Sequence, residues 1–192
     1  MSDIQESPIV QVDHSRRRFL SNSASLLAVG IVAPLASGKA LASITQPRSL
    51  DFYHTHTGEK LSLEYHDGSG YITESLGEIN RYLRDFRTGD IHPIDTGLLD
   101  LLHDIRILTG SNGTFEVISG YRSSATNSKL RSASGGVAKR SLHMQGKAID
   151  IRLSGFDTRE LHKASKSLKQ GGVGYYPKSN FVHVDTGRVR YW

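Results

Sequence analysis

His143 and Asp150 belong to one segment, Ser141-Leu-His-Met-Gln-Gly-Lys-Ala-Ile-Asp150, and His183 follows near the C-terminus in Phe181-Val-His-Val-Asp185. Two imidazoles and one carboxylate form a donor set that suits Zn²⁺, which in catalytic sites takes three protein groups and leaves a fourth position for water. The chain has no cysteine, so any metal must use His, Asp or Glu, and disulfides are excluded.

Alternation explains how residues so distant in sequence can meet. From Lys147 to Leu153, Lys147, Ile149, Ile151 and Leu153 fall on one side and Ala148, Asp150 and Arg152 on the other, the period of a half-buried strand. In Phe181 to Asp185 the same period groups Phe181, His183 and Asp185, with Val182 and Val184 behind. If the two strands pair, Asp150 and His183 share a face, and His143 reaches over from the preceding Gly-rich loop. A carboxylate in mid-strand is disfavoured and costs several kcal/mol to bury unpaired, so a metal or a cation, Arg152 or Arg188 among them, is expected beside Asp150.

The remaining pattern supplies the frame. Residues 49–53 and 60–65 read as strands joined by a turn at Thr55-His-Thr-Gly-Glu59. Leu76, Ile79, Leu83 and Phe86 recur at helical spacing over residues 75–87, with Thr73 or Ser75 as N-cap. A second helix, capped by Asp95 or Thr96 and ended by Gly110, carries Leu98, Leu101, Leu102, Ile105 and Leu108 as a broad apolar stripe. Residues 114–118 are strand-like, 123–131 a short helix, and 158–168 a helix with Leu161, Ala164 and Leu168 on one face. Residues 172–176, 180–185 and 188–192 alternate like strands, with Gly187 in a tight turn. This order predicts a single small α+β domain, an antiparallel β-sheet with helices packed on one face. There is no internal repeat and no phosphate-binding glycine loop.

The first 42 residues are expected to be removed. Ser15-Arg16-Arg17-Arg18-Phe19-Leu20 precedes an apolar run from Leu26 to Ala36, and Ala40-Leu41-Ala42 offers the small residues an export peptidase reads. The segment looks like a twin-arginine export signal, which makes the export machinery a partner and the periplasm the destination. Residues 43–49 read as a linker and 50–192 as the domain. Removal of 1–42 leaves 20 Lys/Arg and 16 Asp/Glu, a net +4, and no stable membrane span in the mature form. A modest positive excess suits an anionic polymer such as peptidoglycan as well as nucleic acid, but no nucleic-acid motif or aromatic platform accompanies it, so no nucleic-acid partner is expected.

Ser119-Gly-Tyr-Arg-Ser123, Ser141-x-His143-x-x-Gly146-x-Ala148-x-Asp150 and Val182-His183-Val184-Asp185 resemble, in that order, the zinc D-Ala-D-Ala peptidase family, and within it the periplasmic murein endopeptidase K-like branch. The likeness spans essentially the whole mature chain, including Phe52-Tyr-His-Thr-His-Thr-Gly-Glu59. It implies a zinc metallopeptidase, of endopeptidase or DD-carboxypeptidase type, that hydrolyses amide bonds in peptidoglycan stem peptides or cross-links, and a monomer is expected. In that resemblance His143, Asp150 and His183 bind Zn²⁺, Arg122 polarises the scissile carbonyl and stabilises the oxyanion, and Tyr121 and Ser141 contact substrate. Ser141 has a second expected role, accepting a bond from His143.

The chain departs from several relatives at the general base. Where they carry Glu, Asp or His two or three residues before the last zinc histidine, this sequence has Phe181 and Asn180. Asp185, two residues after His183 on the same strand face, is therefore expected either to activate water or to orient His183. The missing base keeps a rival in view, a non-catalytic zinc-containing peptidoglycan-binding module. Gly146 and Ala148 admit substrate or satisfy packing, His54 and His56 are expected to be solvated or substrate-facing, and His66, His92, His103 and His162 structural.

Overall fold

The computed structural model describes residues 46–134 and 136–192. The expected export signal and the start of the linker lie outside the described residues. β1 (Arg48–His54) takes in the last two positions of the expected linker.

β1 turns into β2 (Lys60–His66), and the two pair antiparallel. α1 (Thr73–Tyr82) and α2 (Thr96–Thr109) then carry the chain back, so that β3 (Phe115–Ser119) lies parallel to β1. α3 (Ser124–Ala133), a short 3-10 turn (Leu142–Gln145) and β4 (Ala148–Leu153) follow. α4 (Thr158–Leu168), β5 (Gly172–Tyr176), β6 (Phe181–Asp185) and β7 (Arg190–Tyr191) complete the fold. The strand order of the seven-stranded sheet is β2-β1-β3-β4-β6-β5-β7.

The sheet is mixed rather than antiparallel, with β1–β3 and β5–β7 as parallel pairs. The first pair follows from the long helical crossover, which is what a parallel connection needs. The second arises because both edges of β6 are taken, by β4 and β5. The chain after Gly187 therefore makes no hairpin with β6 and crosses to the far edge of β5.

Helix ends follow the capping residues. Asp95 accepts from the Gly97 N–H to start α2, and Gly110, with φ of 61°, ends it in the left-handed region. Asp157 caps α4 through the N–H groups of Arg159 and Glu160. α1 stops short of the expected residue 87. Asp85 is buried and turned away into a cap of its own, accepting from Ser123 N–H and Oγ and from Arg87 N–H, so residues 84–89 form a turn. That contact ties the end of α1 to the start of α3.

α1, α2 and α4 cover one face of the sheet. Beneath them Leu50, Phe52, Phe115, Val117, Ile149, Ile151, Val182 and Val184 are fully or almost fully buried, with Leu98, Leu99, Leu102 and Ile105 of α2 above. Burial of this kind contributes roughly 1.5–3 kcal/mol per large aliphatic side chain and fixes the register on which the opposite face depends. The polar residues of β4 and β6 are left to that opposite face. His54 departs from expectation. It is 1% exposed, packed against Tyr82 and Phe86, while His56 lies outside on the Phe86 ring.

Candidate metal centre

β4 and β6 pair with Asp150 directly opposite His183 and Ala148 opposite Asp185. On the other side of β4 the register slips by one residue between Val117 and Ser119, which brings Ser119 opposite Asp150. A bulge of this kind re-aims a side chain beside a site. Ser119 Oγ accepts from Arg122 Nε at 2.9 Å and so points the guanidinium at Asp150, whose Oδ2 accepts from Arg122 Nη2 at 2.5 Å. Arg152, an alternative partner for Asp150, is engaged by Glu116 instead.

His143 enters from the 3-10 turn before β4. Its backbone oxygen accepts from the Arg122 N–H, and its Nδ1 donates to the Gly120 carbonyl at 2.7 Å. Gly146 closes that turn at φ of 65°, and a side chain there would run into the Pro93 carbonyl, so its smallness serves packing rather than access to the site.

His143, Asp150 and His183 converge, with one ligand atom from each within 4.8 Å of the others. His143 Nε2 lies 3.2 Å from His183 Nδ1 and 3.3 Å from Asp150 Oδ1, and His183 Nδ1 lies 2.8 Å from that oxygen. The outer nitrogen of each ring is already a donor, His143 Nδ1 to Gly120 and His183 Nε2 to Asp185 Oδ2 at 3.0 Å. The inner atoms turn their lone pairs toward one another, and Arg122 Nη2, donating to His143 Nε2 at 3.2 Å, is the cation at their edge. Ligands held about 2.0–2.2 Å from a tetrahedral zinc sit roughly 3.3 Å apart, so the three residues fit such an ion.

Charge in the centre follows from its enclosure. Burial favours the neutral form of Asp150, but His143 and His183 outweigh it and hold the carboxyl far below the usual range. Burial lowers His143, against the pull of Asp150. His183 is raised, since hydrogen bonds to Asp150 and Asp185 overcome its own burial.

Asp185 has no exposed surface. Its Oδ1 accepts from Gly172 N–H, Gly187 N–H and Arg190 Nη1, and its Oδ2 from Arg190 Nη2 and His183 Nε2. Both oxygens are saturated. Burial raises this carboxyl, yet the bonds from His183, Arg190 and Gly187 bring it well below the ordinary value.

Above the three residues opens a cleft of about 440 Å³ that is also lined by Arg122, Arg140, Ser141, Tyr176, Phe181 and Trp192. Among the described residues Asp150 is the one carboxylate that lines it. Tyr121, expected at substrate, is stacked on His92 at 4.8 Å and does not line the cleft. Its backbone N–H donates to the Leu83 carbonyl at 2.9 Å. Ser141 lines the cleft but takes no bond from His143, whose Nδ1 is committed to Gly120.

Sequence reasoning passed over Tyr176, Phe181, Arg190 and Trp192. Phe181 was within reach, since period two puts it on the face of His183. Trp192 was not, because only the parallel β5–β7 pairing brings the C-terminus there.

The family model described as Peptidoglycan L,D-endopeptidase MepK matches residues 42–192, the whole domain with every residue of this centre. The chain belongs to this family. Curated MepK relatives are similar along nearly their full length. The peptidoglycan L,D-endopeptidase MepK of Escherichia coli is 44% identical over 180 residues, covering 91% of this chain and 99% of that protein. The probable peptidoglycan L,D-endopeptidase MepK of Haemophilus influenzae is 42% identical over 182 residues, covering 94% and 97%. No solved structure gives a significant match. Among the described residues no helix is long and apolar enough to cross a membrane.

Proposed function

We propose that this MepK-family protein is a zinc-dependent murein endopeptidase that hydrolyses an amide bond in peptidoglycan stem peptides or cross-links. It acts in the periplasm as a monomer, after export by the twin-arginine pathway. The observation that carries the reading is the convergence of His143 Nε2, Asp150 Oδ1 and His183 Nδ1 at the floor of an open cleft. The names of the relatives, peptidoglycan L,D-endopeptidases, support the substrate.

His143, Asp150 and His183 would hold the ion. When bound, zinc supplies Lewis acidity toward a carbonyl and a lowered pKa for water. The protein's own residues orient and stabilise. Arg122, anchored by Ser119 and Asp150, keeps a guanidinium beside the centre, where it donates to the carbonyl oxygen as charge develops on it. Asp185 acts by holding His183 with Nδ1 turned inward, and Arg190 holds Asp185. It is a positioning residue and not the base, because no lone pair of its carboxylate is left for water. Ser141 lies in the wall where it meets the peptide.

Incubating the purified mature protein with sacculi and separating the muropeptides tests this. New cleavage products are expected, and they vanish on chelation. Sacculi that are bound with an unchanged profile would instead support the non-catalytic wall-binding module.

A further inference from the structure

Trp192 is the only tryptophan of the chain and its last residue, yet its backbone is fixed in the sheet. Its N–H donates to the Val173 carbonyl and its carbonyl accepts from the Tyr175 N–H at 2.9 Å. The indole lies over Gly174, the residue opposite His183, where an added Cβ would be 2.6 Å from the ring. It stands 5.3 Å from the His183 ring, and the Arg190 guanidinium covers it at 5.0 Å.

Its Nε1 donates to Tyr176 Oη at 2.9 Å, and Tyr176 in turn stacks on Phe181 at 4.5 Å and 15°. The indole remains 48% exposed, and all three aromatics line the metal cleft. With its N–H satisfied internally, the indole has only apolar surface to offer a ligand. Arg140, which lines the same cleft, supplies a cation.

We infer that Trp192, with Tyr176 and Phe181, forms the wall that seats an apolar chain of the peptide substrate, with a carboxylate of the same peptide directed to Arg140. Trp192 is thus a substrate-positioning residue. The inference rests on the peptidase reading for its substrate but concerns binding, which is measured separately from hydrolysis.

The sole tryptophan is its own reporter. Rapid mixing of the zinc-loaded protein with purified cross-linked muropeptides should change indole emission saturably before product appears. Trp192→Phe and Gly174→Ala, which displaces the indole without removing it, should each raise KM for those muropeptides about five- to tenfold, with kcat within about twofold and zinc content unchanged. Unchanged emission at saturating muropeptide would overturn the inference. So would a lowered kcat and reduced zinc affinity with KM intact, the pattern of a ring that merely supports His183. A wild type that leaves muropeptides uncut but shows the emission change would sink the peptidase reading and leave the wall standing.

Discussion

Asp185 Oδ2 lies 3.0 Å from His183 Nε2, on the side of the imidazole away from Asp150. The bond fixes which nitrogen of His183 carries hydrogen and so which one faces inward. A partner of this kind typically changes metal affinity about 10- to 100-fold. Asp185→Asn is therefore expected to weaken zinc binding by that order and to recover most of its turnover when zinc is saturating. A loss of turnover that persists with zinc fully bound would make Asp185 the base after all. Zinc titration and muropeptide digestion on the same sample distinguish the two.

Arg122 gives a different signature. Its contacts with Ser119 and Asp150 hold the guanidinium beside the ligand set without making it a ligand. Arg122→Ala should lower kcat about 100-fold while one zinc per chain is kept, as for loss of one oxyanion donor. Arg122→Lys, a point charge without the fork, should recover only part of this. Steady-state rates with metal analysis check both, and a kcat within threefold of wild type for the alanine variant would remove Arg122 from the mechanism.

Stability has its own pH dependence, remote from the centre. His54 Nδ1 accepts from the His56 N–H, and its Nε2 is buried with no hydrogen-bond partner. Burial, then the His56, Arg84 and Arg87 charges, lower its pKa, opposed by Glu59. The unfolded chain takes up this proton near the ordinary value of about 6.5, and the folded chain only at lower pH. The contribution is therefore absent above about pH 6.5 and becomes a loss of stability as pH falls from there toward the folded pKa. Denaturant unfolding between pH 7.5 and 5 should show a smaller decline for His54→Phe than for wild type, and equal slopes would contradict the assignment.

These expectations differ in how far the chain alone could give them. The pairing of Asp150 with His183 was legible because alternation in residues 147–153 and 181–185 leaves one register that buries the valines and isoleucines. His143 followed from motif spacing, α2 from its caps and α4 from its apolar face. The rest depends on contacts between segments far apart. Phe86 continues the helical period of α1, but Asp85 finds Ser123 and stops the helix. Ser119 faces Asp150 only through a bulge, and nothing local announces it. A tight turn at Gly187 does not by itself name the neighbour of β7, which strand order decides. The second parallel pair, and the place of Trp192 in the aromatic wall, both come from that one topological choice.

The central claim is that two imidazole nitrogens and one aspartate oxygen grip a divalent cation. Metal analysis and zinc titration of wild type beside His143→Ala and Asp150→Ala test it most directly, with each variant checked for folding by circular dichroism. The account predicts one zinc per wild-type chain, none in either folded variant, and hydrolysis of defined muropeptides by the wild type alone. A folded wild type that takes up no divalent cation, or variants that keep both the metal and the activity, would contradict it.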